Sequence, residues 1–238
     1  MSRSYGQYCG LARALDVVGD RWNLLIVRQL LIAPARYREL VEGLPGVATN
    51  LLADRLRDLE TAGVIERRLA EKGNAVLYAL TPWGAELREP IDGLIRWSTP
   101  LMVRGPGGDQ FRAEWLVVPL RALLVGRAAP HRSLTVGVAV DDQVFQVRAT
   151  RSGIEVNPHD GRDLDAVVRA DAAIVLGLAA GVLTLDDTLG LIDLEGDEAA
   201  VRAIFTPHAP ISETACADDR RSRERQRPDT ELPSRDWL

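Results

Sequence analysis

The sequence predicts an α+β protein of two domains: a helical domain closed by a hairpin and a helix, then a mainly antiparallel sheet covered by helices. Three observations carry that prediction. Apolar residues recur at helical spacing through most of residues 1–104. They alternate at strand spacing in Leu134-Thr-Val-Gly-Val-Ala-Val140. Between these regions lies Arg104-Gly-Pro-Gly-Gly-Asp109, whose glycines and proline resist both helix and strand. The expected division is residues 1–104, a linker at 105–110, a second domain at 111–207, and a charged, disordered tail at 208–238. A chain of 238 residues can bury two modest cores.

Leu11 to Val18 reads as a short helix. Arg21 to Leu31 reads as a second, with Trp22, Leu25, Ile26 and Leu30 on one side and Pro34 closing it. Tyr37 to Glu42 is a third. Pro45-Gly46 makes a turn into a fourth, with Leu52, Leu56 and Leu59 inward and Gly63 as its C-terminal stop. Two short strands follow, Val64 to Leu69 and Val76 to Leu80. Thr81 is a good N-cap and Pro82 suits the first helical turn. A long amphipathic helix then runs to about Ser98, with Leu87, Ile91, Leu94, Ile95 and Trp97 apolar. Helix, helix, short helix, helix, hairpin, helix is the order of a winged helix-turn-helix.

In the second half Phe111 to Leu124 reads as a helix that Pro119 kinks or divides. Strands at 134–140, 144–147 and 154–156 form a meander around the turns Asp141-Asp142 and Ser152-Gly153. Asp171 and Thr184 cap two helices, Leu191 to Leu194 is a strand, and Asp197 caps a last helix to Phe205.

The net charge of −5 is unevenly spread. Residues 1–104 hold 14 Lys and Arg against 12 Asp and Glu, whereas residues 105–207 hold 9 against 15. A polyanion can therefore be met only by the first part, and an excess of two positive charges is modest support. Apolar runs are too short to span a membrane, and the N-terminus lacks an apolar signal core, so a cytoplasmic protein without membrane insertion is expected. Cys9 and Cys216 form no disulfide framework. His131, His159 and His208 stand far apart in no nucleophile or metal motif, and Gly105-Pro-Gly-Gly108 lacks the lysine of a phosphate loop. No enzyme, metal or cofactor is expected.

The run Cys9-Gly-Leu-Ala-Arg-Ala-Leu-Asp-Val-Val-Gly-Asp-Arg-Trp22, with Tyr37-Arg-Glu-Leu40, Leu44-Pro-Gly46, Leu51 to Arg67, Tyr78-Ala-Leu-Thr-Pro82 and Gly84, resembles the HxlR-type winged helix-turn-helix transcriptional regulators. The resemblance covers about residues 5–100 and implies a homodimer that binds double-stranded DNA. It places the recognition helix at Thr49 to Ala62. Thr49, Asn50, Asp54 and Arg57 are then the candidate base contacts: asparagine can pair with adenine, aspartate can accept from cytosine or orient an arginine, and arginine can read guanine or hold phosphate. The family often has serine where this chain has Ala48. Alanine cannot cap, so Thr49 is expected to take over and shift the helix start. Arg36, Arg38, Arg67, Arg68, Lys72 and Asn74 are candidate backbone and wing contacts. Tyr5, Tyr8, Leu11, Leu87, Ile91, Leu94 and Ile95 are the candidate dimer interface, because the last helix has more apolar surface than a small core needs. Cys9 matches a redox-sensing position of the family; packing at the dimer interface is the alternative.

Asp165 to Val168, Asp171 to Gly181, Thr184 to Gly190 and Ile192 to Phe205 resemble the sterol-carrier-type lipid-binding fold, over about residues 130–206. That likeness implies an apolar tunnel walled by Leu176, Ala179, Leu183, Leu189, Ile192, Val201 and Phe205, open to a small apolar effector. A filled core is the competing expectation. The expected function is a homodimeric transcriptional repressor; the alternative is a lipid carrier or accessory protein whose winged domain serves protein contacts.

Overall fold

Three apolar residues at i, i+4 and i+7 anchor the helical half. Leu52, Leu56 and Leu59 of α4 (Thr49–Thr61) are at most 1% exposed, and each contributes roughly 1.5–3 kcal/mol by burial. They pack on α2 (Asn23–Ile32), α3 (Tyr37–Gly43) and the hairpin strands β1 (Ile65–Leu69) and β2 (Val76–Leu80). The computed structural model describes residues 4–70, 75–102, 108–127 and 132–206, of which α1 (Gly10–Val18) is the first helix. Gly63, at φ 77°, ends α4: its N–H reaches the Glu60 carbonyl at 3.0 Å, and the Val64 N–H reaches that of Leu59 at 2.9 Å. Ala35 pairs with Tyr78 and ties the wing to the chain entering α3.

Thr81 caps α5 (Pro82–Ala85) by accepting from the Gly84 N–H at 3.0 Å. A side chain at Gly84 would run into the Val64 carbonyl, so only glycine allows this approach. The single helix expected from Pro82 to Ser98 is instead two, α5 and α6 (Arg88–Met102). Pro90 fits the break, because it falls in the first turn of α6, where its missing N–H has no helical partner to lose. Pro119 acts likewise: a 3₁₀ turn at Ala113–Leu116 precedes α7 (Val117–Leu124). Leu25, expected inward, is 40% exposed.

The second half is a five-stranded sheet in the order β5-β4-β3-β6-β7. The strands β3 (Leu134–Val140), β4 (Gln143–Thr150) and β5 (Gly153–Pro158) form the expected meander. Strand β6 (Ala166–Arg169) lies parallel to β3, and β7 (Asp193–Gly196) pairs antiparallel with β6. The last strand starts two residues later than its apolar pattern suggests, because the Leu191 and Ile192 N–H groups turn back to the Thr188 carbonyl. Helices α7, α8 (Ala172–Ala180), α9 (Leu185–Thr188) and α10 (Glu198–Phe205) supply the rest of this core.

The two cores are joined. Met1–Thr206 forms one compact unit. Val118 of α7 belongs to the helical core, and Ile32 of α2 packs against both. Polar contacts fix the joint: Arg121 Nη1 donates to Asp92 Oδ2 at 2.6 Å, Arg112 Nη1 to the Glu42 carbonyl at 2.9 Å, and Trp115 Nε1 to the Gly43 carbonyl at 3.3 Å. The Arg28 guanidinium lies 4.6 Å over the Trp115 ring. Burial brings Arg28 down to about 10, against the opposing pull of Glu114. Burial also raises the Asp92 carboxyl above its ordinary value, with Arg121 and Arg88 opposing. The expected linker lies partly outside the described residues, as do residues 207–238.

Candidate nucleic-acid interface

Tyr37 opens α3 and its hydroxyl donates to the Thr49 carbonyl at 2.7 Å, so the first residues of α3 and α4 are bonded together. Leu40 and Leu44, at most 1% exposed, bury the short α3 under this turn. The Arg36 N–H donates to Glu39 Oε2 at 2.6 Å and closes the start of α3. Helix, turn and helix are thus held as one rigid corner.

Helix α4 begins at Thr49 with Ala48 in the capping position and no side-chain cap. The expected takeover by Thr49 does not occur: Thr49 is already helical, since the Ala48 carbonyl accepts from the Leu52 N–H at 2.9 Å. At 100° per residue, Asn50, Asp54 and Arg57 form a stripe opposite Leu52, Leu56 and Leu59, and all three are exposed. Thr49 is exposed to one side of it.

Ion pairs cover this face. Arg57 Nη2 donates to Asp54 Oδ1. Arg55 bridges Asp58 at 2.7 Å and Asp20 at 3.2 Å. On β1, Arg67 pairs with Glu60 at 2.8 Å beneath the Tyr78 ring, and Arg68 Nε pairs with Glu66 at 2.6 Å. Arg36 and Arg38 are exposed at the start of α3 and have no ion pair among the described residues. Lys72 and Asn74 lie outside the described residues.

The predicted dimer residues separate. Tyr5, Tyr8, Leu11 and Leu94 are 58%, 103%, 70% and 49% exposed. Ile91, however, is buried in the helical core, and Leu87 and Ile95 pack against it. Helical spacing is the reason: positions 87, 91 and 95 share the inner side, while Leu94, Trp97 and Leu101 share the outer one. Cys9 is a free, exposed thiol just before α1. Hydrogen bonds from the Ala12 and Leu11 backbone hold it below the ordinary thiol range.

Three of the seven expected wall residues are buried in the core. Ala179, Val201 and Phe205 are at most 3% exposed and interlock with β3, β4 and β6. Leu176, Leu183 and Ile192 pack around them, and Leu189 is 47% exposed. Two grooves lie elsewhere. One of about 1010 Å³ runs beside α4 past Tyr5, Asp16, Asp54 and Arg57; one of about 460 Å³ lies between Arg96, Leu123 and Val182. Sequence reasoning also missed the joint formed by Arg28, Asp92, Trp115 and Arg121. Its one legible signal was charge at inward helical positions, as where Asp92 follows the buried Ile91.

A rigid helix-turn-helix corner, an exposed polar stripe on its second helix and a neighbouring hairpin define the class of winged helix-turn-helix regulators. The HxlR-like helix-turn-helix family matches residues 17–104. The HTH-type transcriptional regulator YodB of Bacillus subtilis is 35% identical over 86 residues, covering 36% of this chain and 77% of that protein. The regulator YvaP of the same organism is 34% identical over 88 residues, covering 37% and 82%. The crystal structure of quinone-bound YodB covers 38% of this chain and 96% of its own, at 30% identity and a TM-score of 0.34. The chain belongs to the HxlR-like helix-turn-helix family. Its relatives there are transcriptional regulators, not enzymes. No helix among the described residues is long and apolar enough to cross a membrane.

Proposed function

We propose that the chain is a homodimeric, sequence-specific repressor acting in the cytoplasm. Residues 1–104 form its reading head, and residues 111–207 a module that takes a small apolar effector. The carrying observation is the stripe of Asn50, Asp54 and Arg57, exposed on a helix whose other side is fixed by Leu52, Leu56 and Leu59. Such a helix fits the major groove, where its early residues reach base edges. Thr49 contacts from the side, Arg36 and Arg38 hold the backbone, and Arg67, Arg68, Lys72 and Asn74 follow the adjacent phosphates.

The outer face of α6, with Leu94, Trp97 and Leu101, meets its copy, aided by Tyr5, Tyr8 and Leu11. The sheet half is read as sterol-carrier-like because helices cover one face of its sheet. Its core is packed, so an effector enters only where α8 or α10 lifts from the sheet. Cys9 is a second input, as a thiol that senses oxidants.

Selection from a pool of random duplexes tests the central reading. A palindrome is expected, with half-site centres about 34 Å apart or a multiple of one turn. A pool that returns no enriched sequence would overturn it.

A further inference from the structure

Glu60 and Glu66 lack a role in the function just proposed, and Asp54 enters it only as part of the exposed stripe. Asp54, Glu60 and Glu66 stand where a phosphate backbone would approach, and a negative charge there repels DNA. Each nevertheless holds an arginine: Asp54 holds Arg57, Glu60 holds Arg67 at 2.8 Å, and Glu66 holds Arg68 at 2.6 Å. The side chains concerned are between 34% and 67% exposed. Exposed pairs of this kind are weak and readily exchanged. They are also complete: three arginines counted as DNA contacts are neutralised in the DNA-free chain, which matches the small positive excess of residues 1–104.

We propose that Asp54, Glu60 and Glu66 are specificity-determining residues, which compete with DNA phosphates for Arg57, Arg67 and Arg68. This inference rests on the reading of α4 and the wing as the DNA face. A random duplex offers these arginines only phosphate, so part of each contact is spent in displacing a carboxylate. The cognate duplex adds base contacts to Asn50 and Arg57, and the exchange goes through. Asp54 has a second consequence: it fixes the Arg57 guanidinium on the stripe, so Asp54 positions a reader and is not itself a reader of cytosine. The pairs raise the ratio of specific to non-specific binding at some cost to both.

The test measures affinity of the full chain for its selected duplex and for a scrambled duplex of equal length, over a salt series. Asp54→Asn, Glu60→Gln and Glu66→Gln should each tighten the scrambled duplex roughly 2- to 5-fold, the range of an exposed pair. Each should also steepen the logarithmic salt dependence by about 0.9 per freed arginine. Cognate affinity should gain less, so discrimination falls. The gain should vanish when the partner is also replaced, as in Glu60→Gln with Arg67→Gln. Glu155→Gln, on β5, controls for a general loss of negative charge. Unchanged binding to the scrambled duplex, or a gain that persists without the arginine or appears equally in Glu155→Gln, would overturn the proposal. Repeated selection with Asp54→Asn should relax the base pair that Arg57→Gln relaxes; relaxation of a different pair would make Asp54 a reader. A wild-type chain that fails to discriminate the duplexes would overturn the DNA-binding reading, and with it this inference. One that discriminates while its carboxylate variants behave as wild type would overturn this inference alone.

Discussion

Arginine does different work in the two halves of the molecule. In the sheet half it is structural glue. Arg127 donates to the Ile204 carbonyl at 3.2 Å as well as those of Phe205 and Ala179, and its burial lowers its proton affinity. Arg132 bridges Asp165 and Asp197, and Arg202 bridges Asp186 and Glu198. Except for the local Arg202–Glu198 pair within α10, these contacts join residues distant in sequence and brace one tertiary arrangement. On the reading face the acceptors are carboxylates close by in sequence or on the adjacent wing strand, and the pairs face water. The difference teaches that an arginine's partner, more than its count, separates a brace from a ligand-ready group.

The largest effects should come from the cores, where the halves are compared on equal terms. Leu56→Ala in the helical half and Leu178→Ala in the sheet half each empty a site at most 1% exposed, costing about 2–5 kcal/mol. Because Val118 and Ile32 connect the cores, urea unfolding should show one transition displaced by either change. Two separate transitions, each sensitive to one variant, would break the picture of a joined unit.

The joint comes next. Asp92→Ala leaves Arg121 without its carboxylate and should cost about 3 kcal/mol. Asp92→Asn isolates the charge. Burial raises the folded-state value of Asp92, so between the ordinary carboxylate value and the raised one the folded protein binds more protons than the unfolded. Stability in that window should therefore increase as pH falls, and the slope should flatten in Asp92→Asn. Thermal midpoints across an acidic pH series measure it.

Two neighbours on α6 sharpen the division between core and interface. Leu94→Asp should leave a folded monomer, whereas Ile91→Asp should unfold the joined unit, since Leu94 is 49% exposed and Ile91 5%. Sedimentation and circular dichroism distinguish them. Smaller still, Asn50→Ala should cost roughly 1–3 kcal/mol on the selected duplex and spare a scrambled one. Arg36→Ala should weaken both alike and lower the salt slope by about one. Equal losses on both duplexes for Asn50→Ala would remove it as a reader.

Much of this was legible because it is local. The helix spacing of Leu52, Leu56 and Leu59, the stop at Gly63 and the cap at Thr81 each need only a few neighbouring residues, and the structure has each as expected. The motifs from Cys9 to Gly84 likewise pointed to the family. Proline explains one error of continuity, at Pro90, and the division that was expected at Pro119. What was hidden is non-local. Strand β6 is four residues whose parallel partner lies about 30 residues earlier, so no hairpin signal announces it. Val201 and Phe205 would look alike in the wall of a tunnel and in a filled core; only the opposing strands decide. The exposed stripe was legible as a set of residues, but its ion pairs depend on rotamers and on the return of β1 beside α4.

Hydrogen exchange of the full chain, free and bound to its selected duplex, tests the assignment of reading to one half most directly. Amides at 36–40, 48–57 and along the wing should gain protection on binding, while those of β3, β4 and β5 should keep their free rates. Protection centred on the sheet, with α4 unchanged, would contradict it.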